Sequence, residues 1–418
     1  MKRSSFIAII PLVTIFFFPS CGVSEAEYPN PGGNEEFTPI QLTKAQEVMT
    51  EDINAFGLSV LQNLVVGEPG KDIVISPLSI SLALAMTAGG AEGETAKQMC
   101  EVLGFSGYTV DEMGEYYSKI VAALKKADRN CAFNVANSIW ISKLLVVKDS
   151  FIKTSEKNFA SEAKDHIDFT APSAVKDINK WVEDNTNGKI KDLLSILPFS
   201  TKMVLVNALY FNGKWGFEWD GSRKESFQSS DGSSQKVDMM HMKDTGFAYA
   251  EDENYQILDL PYGNGAFLFT VILPKSDAKS FPKAVSSLTK AGFSDLIRWT
   301  TDWQWDQTIR IPSFKTEYKQ DGLAEVLKSL GMILPFSDDA DFSRITDQDL
   351  LIDMVVHQAF IDVSLSGTEA AAATAVVMRD GAVLNPTPHP IEFIADHPFI
   401  YAIRESSTGV VIFLGVKS

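Results

Sequence analysis

Residues 367–377 read Gly-Thr-Glu-Ala-Ala-Ala-Ala-Thr-Ala-Val-Val, a run of mostly small side chains with one charge and no proline. Four consecutive alanines favour a helix, yet the flanking Gly367-Thr368 and the residues from Thr374 to Val377 do not extend it. In an extended strand, alternate side chains share a face. Those at 368, 370, 372, 374 and 376 are small enough to slide between two existing strands. The run is therefore either a strand that can enter a packed sheet or a small-residue linker, and composition alone favours neither.

The run opens a longer stretch that carries no secondary-structure signal. About thirty residues between Val363 and Phe393 lack periodicity, and loops of this length inside a compact domain are usually functional or disordered. Residues 378–390 contain charges, Gly381 and three prolines, so this half must stay irregular. We therefore expect an exposed loop over about residues 364–392 and look for function there.

Outside the loop, helical and strand-like patterns alternate in one continuous region. Helices are predicted over Ala45–Asn63, Leu78–Met86, Glu94–Leu103, Ala174–Leu194 and Leu323–Leu330. Strands are predicted over Asp72–Ile75, Ala132–Ile141, Val204–Phe211, Ile257–Leu260, Ala266–Leu273, Thr308–Ile311, Val355–Val363, Phe399–Ile403 and Val410–Val416. Val204–Phe211 is nearly all apolar and reads as a buried central strand. The predicted helices concentrate in the first half of the sequence and the predicted strands in the second half. This order indicates an α+β fold with large sheets.

The first 21 residues resemble an export signal. Lys2 and Arg3 precede an apolar run of about 13 residues, too short to span a bilayer and suited to a signal peptide. The following Phe18-Pro19-Ser20-Cys21-Gly22 resembles a bacterial lipoprotein signal, with Phe18 where leucine is usual. We expect lipidation at Cys21, with ordinary signal cleavage as the alternative.

Residues 22–40 are polar and rich in Gly and Pro, and they read as a flexible tether. No later apolar stretch is long enough to cross a membrane. We therefore expect an exported protein of the bacterial cell envelope, either an outer-membrane lipoprotein held by the lipid alone or an extracellular protein.

Charge and cysteine content narrow the function classes. Loss of residues 1–21 removes two positive charges and no acidic residue, which takes the net charge from -17 to -19. An acidic protein is a poor candidate for nucleic-acid binding, which needs a basic surface. Cys100 and Cys131 can pair in an exported protein, but cysteines are also common as small buried hydrophobes. We favour two unpaired, buried cysteines.

No catalytic motif is visible. The sequence has no G-x-S-x-G, no H-E-x-x-H, no P-loop and no G-x-G-x-x-G after a strand. The five histidines are scattered, and none has zinc-site spacing; they are His166, His241, His357, His389 and His397. We therefore predict no enzyme, no metal site and no cofactor.

Many segments in family order resemble the serpin family, from about Gln41 to Ser418. They are Ile75-Ser76-Pro77-Leu78-Ser79-Ile80, Ala136-Asn137-Ser138-Ile139-Trp140, Ile178-Asn179-Lys180-Trp181-Val182, Thr186-Asn187-Gly188-Lys189-Ile190, Val204–Phe211 with Gly213 and Trp215, Leu260-Pro261-Tyr262, Leu330-Gly331-Met332, Ala340-Asp341-Phe342-Ser343, Asp396-His397-Pro398-Phe399 and Thr408-Gly409. The resemblance implies a serpin domain over 41–418, with helices packed on three β-sheets, an exposed reactive-centre loop and a monomeric state.

The resemblance also implies a mechanism. Serpin reactive loops are known to insert into a sheet as an added strand. A protease attacks the loop as a substrate and forms an acyl-enzyme, the freed half of the loop inserts, and the protease is dragged to the far pole. Implied targets are trypsin-, elastase- or subtilisin-like serine endopeptidases, with cysteine proteases as a further class. The alternative is a serpin-fold binding protein whose loop is cut without trapping, and an envelope hydrolase would need a nucleophile and base that are not visible.

Site residues carry over unevenly from the family. The reactive-loop hinge matches inhibitory members at Gly367, Thr368, Glu369, Ala370, Ala371, Ala372, Ala373, Thr374 and Ala375. Ser76, Ser79, Asn207 and His357 match the shutter, where the sheet strands part, and Trp215 matches the aromatic residue at the top of the sheet. In both the family and the core-packing interpretation, His357 is structural and not catalytic.

Two features depart from the family pattern. Leu365 stands where an acidic residue is usual, so a salt bridge near the insertion point is expected to be absent. The loop is also longer than in well-known members. The usual spacing puts the cut at Gly381–Ala382, whereas Arg379 suits a trypsin-like enzyme. Elastase- or subtilisin-like enzymes would instead cut after an apolar residue, and the candidates are Val377, Met378, Val383 and Leu384.

Overall fold

The computed structural model describes residues 37–159, 161–198, 200–299, 303–368 and 390–418. Five of these residues are described by their backbone alone, namely Leu205, Asn207, Trp299, Trp303 and Trp305. The predicted lipidation site Cys21, the tether up to residue 36, hinge residues 369–375 and every scissile-bond candidate from 377 to 384 lie outside the described residues.

The described residues form nine α-helices and fifteen β-strands. The helices are α1 (Lys44–Gly67), α2 (Pro77–Ala88), α3 (Gly93–Leu103), α4 (Val110–Leu124), α5 (Asp149–Phe159), α6 (Pro172–Asn185), α7 (Phe281–Ser287), α8 (Lys290–Trp299) and α9 (Leu323–Ser329). The strands are β1 (Ile73–Ile75), β2 (Cys131–Ser142), β3 (Ser161–Ile167), β4 (Met203–Lys214), β5 (Gly221–Gln228), β6 (Ser234–Glu251), β7 (Tyr255–Tyr262), β8 (Phe267–Pro274), β9 (Trp303–Pro312), β10 (Phe314–Gln320), β11 (His357–Ser364), β12 (Gly367–Thr368), β13 (Ile391–Ile394), β14 (Phe399–Glu405) and β15 (Val411–Lys417). The α+β prediction is confirmed.

Side-chain caps fix where several helices begin. Thr43 and Thr109 each form a capping box with the residue three positions later, Gln46 and Glu112. Ser76 caps α2 and is followed by Pro77, whose ring suits the first helical position. The Ser76 backbone N–H also donates to His357 of β11, so the start of α2 lies against the six-stranded sheet.

The six-stranded sheet has the strand order β10-β11-β12-β4-β2-β3. β4 lies in its interior, so the prediction of a buried central strand at Val204–Phe211 is confirmed. β12 consists of the first two residues of the run quoted above, and it lies between β11 and β4. The part of the loop that the structure describes therefore begins inside the sheet.

The second sheet has nine strands, in the order β1-β15-β14-β8-β7-β6-β9-β13, with β5 paired to β6. β6 belongs to two groups of strands, since residues 234–241 pair with β5 and residues 248–251 pair with β7. Register shifts between Met242 and Phe247 mark the change. The three sheets implied by the resemblance correspond to the six-stranded sheet and to these two groups.

Two apolar clusters hold the layers together. The larger joins α1 and α2 to both sheets, while the smaller packs α6 and residues 190–197 onto the outer face of β2 and β4. Along β4, Leu209 and Phe211 point into the larger cluster, whereas Val206 and Ala208 point into the smaller. The six-stranded sheet is therefore covered on both faces, with α6 as the outer layer.

Some predicted boundaries were wrong. The helix predicted over Ala174–Leu194 ends at Asn185, because Asn187 and Gly188 adopt left-handed backbone conformations with φ of 49° and 74°. β11 begins at His357 and not at Val355. Phe37 and Ile40, assigned to the tether, pack against the larger cluster. No helix in the described ranges is long and apolar enough to cross a membrane.

Candidate functional site

The hinge begins as a two-residue strand with partners on both sides. β12 pairs with β11 through Val363–Thr368 and Ser364–Gly367. On its other side it pairs with β4 through Gly367–Lys214 and Thr368–Gly213. Both pairings are antiparallel, so β11 and β4 run parallel to each other with β12 between them. A strand that enters the sheet here has a defined direction and register.

Gly367 is required by the close approach of the backbones. Its φ is +127°, a conformation that L-residues with a side chain rarely adopt. A Cβ atom at this position would lie 2.2 Å from the carbonyl oxygen of Gly213 and 2.8 Å from the Cα of Lys214. Ser364 Oγ donates a hydrogen bond of 3.0 Å to the Gly367 carbonyl and closes the turn that precedes β12. Only glycine fits this entry point without moving β4.

Two stacked aromatic residues, Trp215 and Tyr262, lie beside Thr368, the second residue of β12. Thr368 is buried, and its Oγ1 lies 2.5 Å from the hydroxyl of Tyr262. Burial raises the pKa of the Tyr262 phenol above its ordinary value, so the phenol keeps its proton. Trp215 stacks on Tyr262 with ring centroids 4.6 Å apart, and its Nε1 donates to the Ser364 carbonyl at 2.8 Å. Trp215 thus contacts Ser364 directly and is linked to Thr368 through Tyr262.

The register of β12 defines what a longer insertion would meet. In that register residue 370 would lie between Ile361 and Phe211, and residue 372 would lie between Ala359 and Leu209. All four flanking side chains are buried in the larger cluster. Residue 374 would lie between His357 and Asn207. Even-numbered positions would therefore face the packed core, and in the sequence those positions carry only threonine, alanine and valine.

The shutter residues connect the start of β11 to α2. The Ser76 backbone N–H donates to His357 Nε2 at 3.1 Å, and Ser76 Oγ accepts from the Ser79 backbone N–H at 3.2 Å. Burial lowers the pKa of His357 to about 4, so the imidazole is neutral at physiological pH and its Nε2 can accept. Asn207 lies in β4 opposite Asn137, with its side chain outside the description. Separation of β11 from α2 would break the buried hydrogen bond between the Ser76 backbone N–H and His357 Nε2.

Two cavities lie at the end of β4 that begins at Met203, and the larger one reaches the shutter residues Ser79 and His357. One, of about 80 Å³, faces α2 and is lined by Ser79, Leu84 and Phe342 among others. The other, of about 40 Å³, faces residues 193–201. Met203 and residues 353–354 and 356 line both cavities. Because close-packed cores rarely hold such voids, this end of the sheet is loosely packed where a full-length insertion would finish.

The remaining predicted positions are placed as follows. Leu365 is 42% exposed in the turn before β12, and an apolar side chain there forms no salt bridge. Cys100 and Cys131 are both free, as predicted; Cys131 is buried and Cys100 half-buried. Among the described residues, no group of three His, Cys, Asp or Glu side chains is placed to hold a metal ion.

Three residues at the hinge were not selected from the sequence. Gly213 and Tyr262 belong to segments that carried the resemblance, but their contacts with Gly367 and Thr368 join residues more than 100 positions apart. Ser364 was only a loop boundary, yet it receives the Trp215 hydrogen bond. Such partners follow from the three-dimensional pairing of strands, and no local pattern marks them.

Comparison with known proteins gives one consistent family. A family model described as "Serpin (serine protease inhibitor)" matches residues 51–417. An uncharacterized serpin-like protein of Methanosarcina acetivorans is 35% identical over 87% of this chain and 85% of its own length. The leukocyte elastase inhibitor of Bos taurus is 35% identical over 86% of this chain and 96% of its own length. The thermophilic serpin tengpin in its native state superposes with a TM-score of 0.77 at 30% identity, covering 91% of this chain and 96% of that one.

Proposed function

The chain belongs to the serpin family, and from that premise we propose that it is an exported inhibitor that traps serine endopeptidases by loop cleavage and strand insertion. The observation that carries the proposal is β12. Its two residues already pair on both sides between β11 and β4. The residues that follow are small and uncharged apart from Glu369. A cut loop can extend this strand without displacing any large side chain.

The chemistry begins as an ordinary proteolytic step. The serine hydroxyl oxygen of the protease bonds to the scissile carbonyl carbon, the C–N bond breaks, and the leaving amine takes a proton. The new ester joins the protease to the N-terminal half of the loop. Insertion then competes with hydrolysis, in which water would release the protease. A trapped complex results when insertion is faster.

The energy of insertion is large enough to drive a one-way step. A strand of about ten residues adds about ten backbone hydrogen bonds, each with a net contribution of roughly 1 kcal/mol. The gain is on the order of 10 kcal/mol, comparable to the stability of a whole domain. The positions that flank the insertion on its core face are Ile361, Phe211, Ala359 and Leu209, all buried.

In this proposal the cut follows one of residues 377–384, and the side chain before the cut selects the protease. Gly381–Ala382 is the expected bond from the family spacing. Cleavage after Arg379 would indicate a trypsin-like target, and cleavage after Met378 or Leu384 would indicate an elastase- or subtilisin-like target. Cysteine proteases form an analogous thioester and are a further target class.

Export and anchoring form part of the proposal. The basic start, the short apolar run and Cys21 support secretion followed by lipid attachment. An inhibitor held on the cell envelope by a lipid, or released outside the cell, would meet host or competitor proteases there. Metabolic labelling with a fatty acid tests the anchor, and replacement of Cys21 by Ser should abolish the label.

A protease panel tests the inhibitory function. The protein without its first 21 residues is mixed with trypsin, an elastase and subtilisin, and the mixtures are run on a denaturing gel. We expect a band near the summed masses for at least one enzyme, together with a released peptide whose mass locates the cut. If every enzyme gives only cleaved protein, the trapping mechanism is wrong for these targets and the binding-protein alternative is favoured.

A further inference from the structure

His397 has a hydrogen-bond acceptor on each side of its ring. Its Nε2 lies 2.8 Å from the Pro274 carbonyl oxygen, and its Nδ1 lies 2.8 Å from Asp396 Oδ1. A carbonyl oxygen and a carboxylate oxygen can only accept, so each ring nitrogen must carry a proton to form its bond. A neutral imidazole has one N–H and can satisfy only one of these partners. The geometry therefore favours the doubly protonated imidazolium.

The segment that carries His397 fastens the C-terminal end of the loop to the body. Among the described strands, β13 pairs with β9 alone, at the edge of the nine-stranded sheet. Gln256 Nε2 donates to the Glu392 carbonyl at 3.1 Å, and the Gln228 backbone N–H donates to the Asp396 carbonyl at 2.8 Å. His397 adds a bond to the end of β8. An edge strand of four residues depends on such contacts to stay in place.

Asp396 is the charged group that contacts the His397 ring. The other charged side chains on the elements around the ring are Glu392 on β13, Asp231 in the β5–β6 turn, Lys275 and Lys279 after β8, and Lys417 on β15. Lys275 pairs with Glu251 at 2.6 Å. Lys417 pairs with Asp72 at 2.8 Å. These two cations are thus compensated by their own partners, which leaves the Asp396 carboxylate to stabilise a charged ring.

We propose that His397 is a pH-sensitive clamp on the C-terminal end of the loop. With two protons, its ring joins residues 395–398 to the end of β8. After loss of one proton, one of the two bonds is lost, and this segment opens more often together with β13. The clamp acts on the uncut protein, whether or not that protein traps a protease.

The direction of the pH dependence follows from the contacts of the ring. Burial by itself lowers the pKa of His397, but the bonds to Asp396 and to the Pro274 carbonyl raise it by more, so the folded pKa is above the unfolded value of about 6.5. The clamp therefore contributes its full stability below about pH 6.5, and the contribution is lost as the pH rises through the folded pKa. His357, whose pKa is lowered by burial, acts in the opposite direction.

Two measurements on the purified protein test the clamp. NMR titration of the imidazole Cε1–H signals gives the protonation midpoint of His397, whose signal is the one absent from His397→Gln. We expect a midpoint above about 6.5. Hydrogen exchange of the β13 amides, corrected for intrinsic exchange rates, is followed from about pH 6 to about pH 9. Protection of β13 should fall several-fold as His397 loses its proton, and His397→Gln should show no such step.

Two further variants separate the charge from the packing. Asp396→Asn keeps an oxygen that can accept from Nδ1 but removes the negative charge, so the midpoint of His397 should fall and β13 should open at a lower pH. His166→Asn is the control, because the His166 side chain is 86% exposed and asparagine tolerates its left-handed backbone, with φ of 56°. It should leave the midpoint and the exchange of β13 unchanged.

A His397 midpoint at or below about 6.5 would contradict the clamp. Protection of β13 that stays constant across the midpoint would contradict it as well. Equal pH dependence in Asp396→Asn and the unchanged protein would show that Asp396 does not hold the proton on the ring. If His397→Gln does not fold, Asp396→Asn decides the result, because it alters a carboxylate that is 52% exposed and keeps its shape.

Discussion

Single atoms at Gly367 determine whether the hinge can enter the sheet. A Cβ there would lie 2.2 Å from the Gly213 carbonyl oxygen, far inside contact distance, and φ is +127°. Thr368 then anchors the strand through the Tyr262 hydroxyl. At the other end of β11, His357 accepts from the backbone of Ser76. These contacts make two specific residues, Gly367 and His357, the sensitive points of the site.

If the protein traps proteases as proposed, Gly367→Ala should increase the share of protein that is cleaved without being trapped. The added methyl group either displaces β4 or prevents β12 from forming, at a cost greater than about 1 kcal/mol. We expect the ratio of cleaved protein to covalent complex on a denaturing gel to rise several-fold. Gly67→Ala is the control, because no atom outside its own stretch of α1 lies within 4 Å of its Cβ position. Equal ratios for Gly367→Ala and the unchanged protein would show that docking of β12 is irrelevant to trapping.

His357→Gln should remove part of the pH dependence of stability. The folded pKa of His357, about 4, is below the unfolded value of about 6.5, so the unfolded chain binds more protons between these values. Stability is therefore lost as the pH falls through this window, by up to about 3 kcal/mol from this residue.

Glutamine keeps an oxygen that can accept from Ser76 but does not titrate. Urea unfolding at about pH 7 and about pH 4.5 measures the difference, and the variant should lose less stability on acidification than the unchanged protein. Identical losses in the two proteins would mean that His357 does not titrate as described.

At the scale of elements, the strands β11 and β4 flank β12, and in the proposed mechanism they would pair with the rest of the inserted loop. A longer strand in the register of β12 would place even-numbered loop residues on the core face and odd-numbered ones on the opposite face. Residue 371 would lie between Tyr210 and Phe360, which are half-buried, with Lys189 and Lys315 near the Phe360 ring. Residue 372 would lie between buried Ala359 and Leu209. A charged side chain would therefore be tolerated at residue 371 of the inserted strand but not at residue 372.

Ala372→Glu and Ala371→Glu form a matched pair that tests this register. A carboxylate at 372 would be buried among apolar groups at a cost of several kcal/mol, so insertion should fail and the protein should be cleaved without trapping. At 371 the same carboxylate would face half-exposed rings and two lysines, and trapping should persist. The covalent band on a denaturing gel is the readout. Loss of the band in both variants, or in neither, would contradict the register derived from β12.

Apolar periodicity predicted several buried elements but missed others, such as α4, whose Met113 and Tyr116 are buried. The helix predicted over Leu78–Met86 is observed at Pro77–Ala88, because Ser76 caps it and Gly89 ends it. β5, in contrast, was not predicted, since its residues 221–228 are mostly exposed and carry no apolar alternation. The end of α6 at Asn185 was missed because an apolar pattern continues through Leu194, although those residues pack without helical structure.

For the whole molecule, the α+β class followed from the sequence, whereas the start of the loop and the placement of the hinge did not. Gly367–Thr368 and Ile391–Ile394 are strands, although the exposed loop was expected over about residues 364–392. The residues 367–377 suggested either a strand or a linker, and their composition could not decide between them. The pairing of Gly367 and Thr368 with strands from residues 203–214 and 357–364 shows where such a strand would enter. The loosely packed region beside Met203 lies at the opposite end of β4 from the residues that pair with β12.

The most direct test of strand insertion is thermal unfolding of the protein before and after its loop is cut between residues 377 and 384. About ten added hydrogen bonds should raise the melting temperature of the cleaved protein by on the order of 10 °C or more. A cleaved protein that melts at the temperature of the intact one, or below it, would mean that the cut loop does not enter the sheet between β4 and β11.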